Sequence, residues 1–184
     1  LLDESAADRA VRNMQLVLKD APDHPHALAA RIYLCLAWRM RGEAVLAEKE
    51  LLAAIAANPW AARAHLVLAH VYTDQSRWEE GAASFRAAMD TAREKDDGVY
   101  TGPAAYEEAV LGAAILERRR GETDAAERFA RQYLQLRKDD PDGLFVLATV
   151  LEQRGERTHL EETVRLLRQA VRLEPGRTEF LARL

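Results

Sequence analysis

The chain has 184 residues, 48% of them hydrophobic and 30% charged, a size that suits one buried core or one array of stacked repeats. Lys and Arg number 26 against 30 Asp and Glu, a net charge of −4 with both signs interspersed, which argues against nucleic acid or an anionic membrane as the main partner. The single Cys35 excludes an internal disulfide and a multi-cysteine zinc site, and no apolar run approaches the roughly 20 residues that a membrane-spanning helix needs.

In chain order, Ala10, Met14, Val17 and Pro22 over residues 1–22 read as a second helix whose preceding partner is absent. The chain opens on Leu1 and carries no leader pattern, so it reads as part of a longer protein. His24 and His26 flank Pro25 beside Asp23, a solvated turn with at most an adventitious metal contact. Residues 28–61 then align with 62–95 at a shift of 34. Leu34 falls over Leu68, Cys35 over Ala69, Trp38 over Tyr72, Ala47 over Gly81, Leu51 over Phe85 and Ala54 over Ala88. Small residues match small and large match large, as where two helices cross closely at fixed points.

Residues 96–102 read as an inserted loop, ended by Gly102 and Pro103. The unit over 103–140 carries Gly121, Ala126, Ala130 and Leu134. Its first helix aligns in two ways, with either Leu111-Gly112 or Val110 and Ala113-Ala114 as the paired large and small positions. The unit over 141–175 has Leu144, Leu147, Ala148, Leu151 and Gly155, then Leu167, Ala170 and Pro175, with three extra residues around Arg157. Residues 176–184 begin a further helix. Leu160, Val164, Leu167 and Val171 form one apolar stripe at spacings of 4, 3 and 4. Ser76-Arg-Trp-Glu79 and Thr158-His-Leu-Glu161 have the capping-box form, while Asn58-Pro59 and Asp140-Pro141 place a capping side chain before a first-turn proline. No period-two alternation persists, and the count is about ten helices.

The run Leu34, Cys35, Trp38, Gly42, Ala47, Leu51, Ala54, Pro59, echoed by Leu68, Ala69, Tyr72, Trp78, Phe85 and Ala88, resembles the tetratricopeptide repeat family. The second unit departs from that pattern at Ser76, where Gly is usual, and at Gly81, where Ala is usual. The resemblance implies an all-α fold, a right-handed α-solenoid of stacked antiparallel helix pairs, whose inner face binds a peptide or helix of a partner protein. The positions such repeats turn inward fall on Ala29, Ile32, Tyr33, Leu36, Arg39 and Met40, on Arg63, Leu66, Val67, His70, Thr73 and Asp74, and on Asp142, Phe145, Val146, Thr149, Glu152 and Gln153. From these the expected protein-binding residues are Ile32, Tyr33, Leu36, Arg39, Met40, Arg63, Leu66, His70, Thr73, Phe145 and Thr149. Ile32, Leu36 and Val67 stand where a carboxylate clamp for chaperone tails would need polar residues, so that subtype is set aside.

Chemistry is sparse. His65 and His70 are five apart, a spacing that does not put two ligands on one helical face. No phosphate-binding loop, nucleophile elbow or HExxH helix is present, and Ser5, Ser76 and Ser84 stand in helix-start or repeat positions. Arg118-Arg119-Arg120 reads as a helix end complementing the carbonyl dipole. The expectation is a non-catalytic protein-interaction scaffold with no cofactor and no metal. The excess of Arg over Lys (22 to 4) fits a bacterial source, with envelope or secretion machinery the family-based context and either cytoplasm or periplasm the compartment. A substrate-presenting or regulatory segment of a larger enzyme is the alternative, and uncapped repeat ends leave self-association open.

Overall fold

The computed structural model describes residues 4–21, 24, 26–94 and 102–184. The described residues form ten α-helices and one 3-10 turn, with no strand. They divide into two compact units, Leu1–Tyr106 and Glu107–Leu184.

The first unit holds α1 (Glu4–Asp20), α2 (Ala27–Met40), α3 (Ala44–Ala57), α4 (Ala62–Asp74), α5 (Trp78–Glu94) and the start of α6 (Pro103–Arg120). Each helix from α1 to α5 packs on the next, and α2 also touches α4. The small positions of the aligned pattern sit where helices cross: Cys35, Ala47 and Ala69 are fully buried and Ala54 is 3% exposed, with the large Leu51 fully buried beside them. Around them Ile32, Ala64, Val67, Leu68, Val71 and Tyr72 close one cluster. Phe85, 1% exposed in α5, contributes about 1.5–3 kcal/mol by leaving water.

α1 docks on α2 through Val11, with Ala10, Met14 and Leu18 beside it, against Leu34 and Ala37. Val17, expected in that row, is 46% exposed instead. The row that reaches α2 runs 11, 14, 18, which leaves position 17 on the flank. Pro22, Asp23, Pro25 and the loop 96–101 lie outside the described residues.

The turn between paired helices has one geometry throughout. Gly42, Gly121 and Gly155 take φ of 77°, 89° and 71°, and Ser76 takes 59° at the corresponding place. Ser76 therefore does not cap α5. It closes α4 in the left-handed region, its N–H bonding to Thr73 while the Arg77 N–H returns to Tyr72 at 2.9 Å. Asn58-Pro59 also differs from expectation: Asn58 accepts from the Trp60 N–H at 3.2 Å, an Asx turn that ends before α4 begins.

The second unit comprises the rest of α6, α7 (Thr123–Leu136), α8 (Pro141–Arg154), the 3-10 turn Arg157–His159, α9 (Leu160–Leu173) and α10 (Thr178–Arg183). Asp140 caps α8 by accepting from the Gly143 N–H at 3.0 Å, with Pro141 in the first turn, as the sequence suggests. Thr158 does not cap α9. It lies inside the 3-10 turn formed by the extra residues, and its hydroxyl reaches Glu156. Ala113, Ala114, Ala126 and Ala130 are buried, as are Val110 and Leu116. Gly42 follows Cys35 by seven positions and Gly121 follows Ala114 by seven, the spacing of the second alignment, while Gly112 of the first is also buried and Leu111 packs against the core.

The apolar stripe expected on α9 is buried in its second half, where Leu167 is 3% exposed and Val171 packs against the core, but not in its first. Thr163, Leu166, Leu167 and Ala170 face the core, whereas Leu160 is 60% and Val164 38% exposed. Thr163 satisfies its hydroxyl on the His159 carbonyl at 2.9 Å, which lets a threonine serve as a core residue.

Candidate protein-binding face

The eleven residues expected to meet a partner separate into three groups. Ile32 (2% exposed), Leu66 (2%), Thr73 (5%) and Thr149 (6%) are buried. Ile32 joins the cluster with Cys35, Leu51 and Val67, because the packing of α2 on α4 closes over it. Thr73 and Thr149 turn their hydroxyls back to the Ala69 and Val146 carbonyls at 2.7 and 2.8 Å. These four are therefore core residues, which corrects the sequence-based expectation of a surface role for them.

A second group is half-buried and engaged. The His70 ring stands edge-on to Phe85 at 5.1 Å and 87°. Phe145 lies 5.0 Å from the Phe180 ring, so α10 covers part of it. Arg63 is half-buried on α4.

The third group forms a ridge on α2. Tyr33 is 56% and Met40 55% exposed, with Leu36 half-buried between them. Spacings of three and four place the three on one side of the helix. Beside the ridge the Arg39 Nε donates to Asp74 Oδ2 at 2.6 Å, tying α2 to α4. Such a half-exposed pair adds at most about 1 kcal/mol to stability, but it presents a charge-paired edge next to an apolar one. Apolar side chains more than half exposed on an otherwise well-packed helix are the kind of surface a partner covers.

Groups that would suggest catalysis are bound up in the fold. The Cys35 thiol is fully buried, and burial, with Glu50 second, pushes its pKa up to about 12, so it stays protonated and unreactive. Ser84 is buried at 8% exposure. The His26 N–H donates to His24 Nδ1 at 3.1 Å, which occupies one of the ring nitrogens considered for a metal. Among the described residues there is no group of three side chains suited to hold a metal ion, and no helix is long and apolar enough to cross a membrane. Arg118 lies in the last turn of α6, half-buried, with its guanidinium pKa lowered by burial and by the nearby Arg119 and Arg183; its carbonyl accepts from the Gln153 amide at 3.3 Å.

The expected list passes over two exposed apolar surfaces. Val45, Leu46 and Leu52 stand 76%, 47% and 47% exposed on α3, and Leu160 and Val164 on α9. The amphipathic pattern of α9 is visible in the sequence, but only the packing shows which of its apolar edges faces water.

Helices paired through left-handed turns, with small residues at each crossing, define a helical-repeat protein. The fold is that of tetratricopeptide repeat proteins, as solved structures establish. The chain is similar to TTC0263, a thermophilic tetratricopeptide repeat protein of Thermus thermophilus, with a TM-score of 0.76 and 21% identity over 96% of this chain and 88% of that one. It is similar to MamA, with a TM-score of 0.67 and 16% identity over 95% of this chain and 86% of that one. YrrB, described as a tetratricopeptide repeat protein with an unusual peptide-binding site, superposes with a TM-score of 0.65 and 14% identity over 90% of this chain and 78% of that one. At these identities the likeness is one of fold. No family model matches the sequence, and no curated protein matches it.

Proposed function

We propose that the chain is a non-catalytic protein-interaction scaffold that binds a peptide or helix of a partner on the first-helix face of its N-terminal unit. The observation that carries this reading is the α2 ridge, where Tyr33 and Met40 are each more than half exposed beside the Arg39–Asp74 pair. Tyr33 supplies a rigid amphipathic contact and Met40 an adaptable one, both suited to a binding surface. The likeness to YrrB, whose description includes a peptide-binding site, supports the same class of ligand. Arginine-rich usage fits a bacterial source for such a scaffold.

The test is capture of partners from the source organism's lysate by the parent and by a Tyr33→Asp/Met40→Asp variant, with circular dichroism establishing that both fold. Loss of a captured protein in the variant, with helicity kept, is the expected result. Equal capture by both would place binding on another face and overturn the assignment. Substituting Ile32 in the same experiment would confuse the two, because an aspartate there enters the core.

A further inference from the structure

A second surface, on α9, has a chemistry of its own. Leu160, Glu161, Val164, Arg165, Arg168 and Arg172 line an open depression of about 510 Å³ along this helix, on the side away from the buried row Thr163, Leu166, Leu167 and Ala170. Leu160 and Val164, one turn apart, occupy its first end at 60% and 38% exposure. The three arginines follow at spacings of three and four, so their side chains leave one side of the helix from positions about 5–6 Å apart.

The charge on this side reverses the sign of the molecule: three arginines stand against Glu161, in a chain whose net charge is −4. Little within the fold neutralises them. Arg165 lies 3.8 Å from Glu162, but that carboxylate already accepts from Arg131 at 3.0 and 3.1 Å. Arg172 donates from Nε to the Arg168 carbonyl at 3.3 Å, and neither Arg168 nor Arg172 has a carboxylate within 4.0 Å among the described residues. Elsewhere in the unit Arg154 binds Glu127, Glu156 and Asp124, and Arg177 binds Asp142, Glu174 and Glu179, whereas Arg118, Arg119, Arg128 and Arg157 have no carboxylate within 4.0 Å among the described residues. The α9 arginines are set apart by standing three together along one side of one helix.

We infer that the exposed side of α9 is a docking site for an acidic amphipathic helix of a partner protein, with apolar side chains seated on Leu160 and Val164 and carboxylates on Arg165, Arg168 and Arg172. The order along the helix favours this occupant over others. A nucleic acid would use the arginines and leave the aliphatic end unmatched, whereas a membrane surface would need the apolar side chains to run the full length of the helix. A second helix laid along α9 meets both, because its own residues recur every three or four positions and its carboxylates form charge-assisted pairs with guanidinium groups. This site does not depend on the α2 ridge.

The experiment uses an array of stapled helical peptides of about fourteen residues, with leucine content and net charge varied independently. Single-stranded RNA and phosphatidylserine vesicles are included as further probes. Fluorescence anisotropy should show binding that rises with acidic charge only when leucines are present, and that weakens as salt is raised. An Arg168→Glu/Arg172→Glu variant should bind the best peptide at least tenfold more weakly and recover binding to its lysine-for-glutamate counterpart. A Val164→Asp variant should weaken it as well, while Tyr33→Asp/Met40→Asp leaves it unchanged, which separates this site from the α2 ridge. The inference is overturned by absence of preference for acidic leucine-bearing peptides, by equal binding to the charge-reversed protein, or by binding of RNA or vesicles alone.

Discussion

At the scale of single residues, the fold depends on a few side chains whose size or backbone angle allows no substitute. Ser76 shows the cost of a departure. It holds φ of 59° where Gly42, Gly121 and Gly155 hold comparable angles. An L-residue in that region costs about 1–2 kcal/mol, and glycine gives back about 0.5–1 kcal/mol of that through the entropy of the unfolded chain. Ser76→Gly should therefore raise stability by roughly 0.5–1 kcal/mol, read as a higher urea midpoint at unchanged slope. A lower midpoint would mean that the hydroxyl makes a contact worth more than the strain. The offset of 34 from Gly42 identifies this position in the sequence, yet the same Ser also fits a capping box. The capping pattern spans four residues and does not register where the previous helix ends. For that reason it also fails at Thr158, which the 3-10 turn absorbs. The small positions Cys35, Ala47 and Ala54 are legible because close helix crossings tolerate no larger side chain at several places at once.

At the scale of elements, each helix must bury one row and leave another, and the sequence reveals rows more readily than it reveals which one is covered. On α9 the eye follows Leu160, Val164, Leu167 and Val171, of which Leu167 is buried and Val171 packs on the core, but the rest of the buried row uses Thr163 and Ala170, which look polar or small in isolation. On α2 the repeat pattern marks a whole inward face, yet α4 covers Ile32 and leaves Tyr33 and Met40 open. Coverage is a property of the neighbouring helix, and a single-helix pattern carries no record of it. The α7–α8 crossing shows how close such a neighbour can stand. A Cβ on Gly143 would stand 2.5 Å from Tyr133 Cδ1, 2.7 Å from Cε1 and 3.0 Å from Leu134 Cδ2. Overpacking there costs about 1–3 kcal/mol, which outweighs the gain of about 1 kcal/mol in helix propensity. Gly143→Ala should thus lower the melting temperature, and Tyr133→Leu in the same chain should recover part of the loss. A gain in stability from Gly143→Ala alone would show that α7 and α8 separate freely.

At the scale of the whole molecule, the repeat is what makes the fold readable: a 34-residue shift, small crossings and recurring turns all point to stacked helix pairs, and solved tetratricopeptide repeat structures share that fold. The proposed function is written less plainly, because it rests on what the pairs leave uncovered. The α2 ridge and the α9 arginine side offer different chemistries, one apolar with a charge-paired edge and the other cationic with an aliphatic end. The central claim is that the α2 ridge receives the partner. A photo-crosslinking phenylalanine analogue placed in turn at Tyr33, Met40 and the even more accessible Val45 tests it most directly, since Val45 is 76% exposed on α3 and differs in position rather than in lack of access. Irradiation in cells of the source organism should yield one shared adduct from positions 33 and 40 and none from 45. The same adduct from position 45, with none from 33 or 40, would contradict the account.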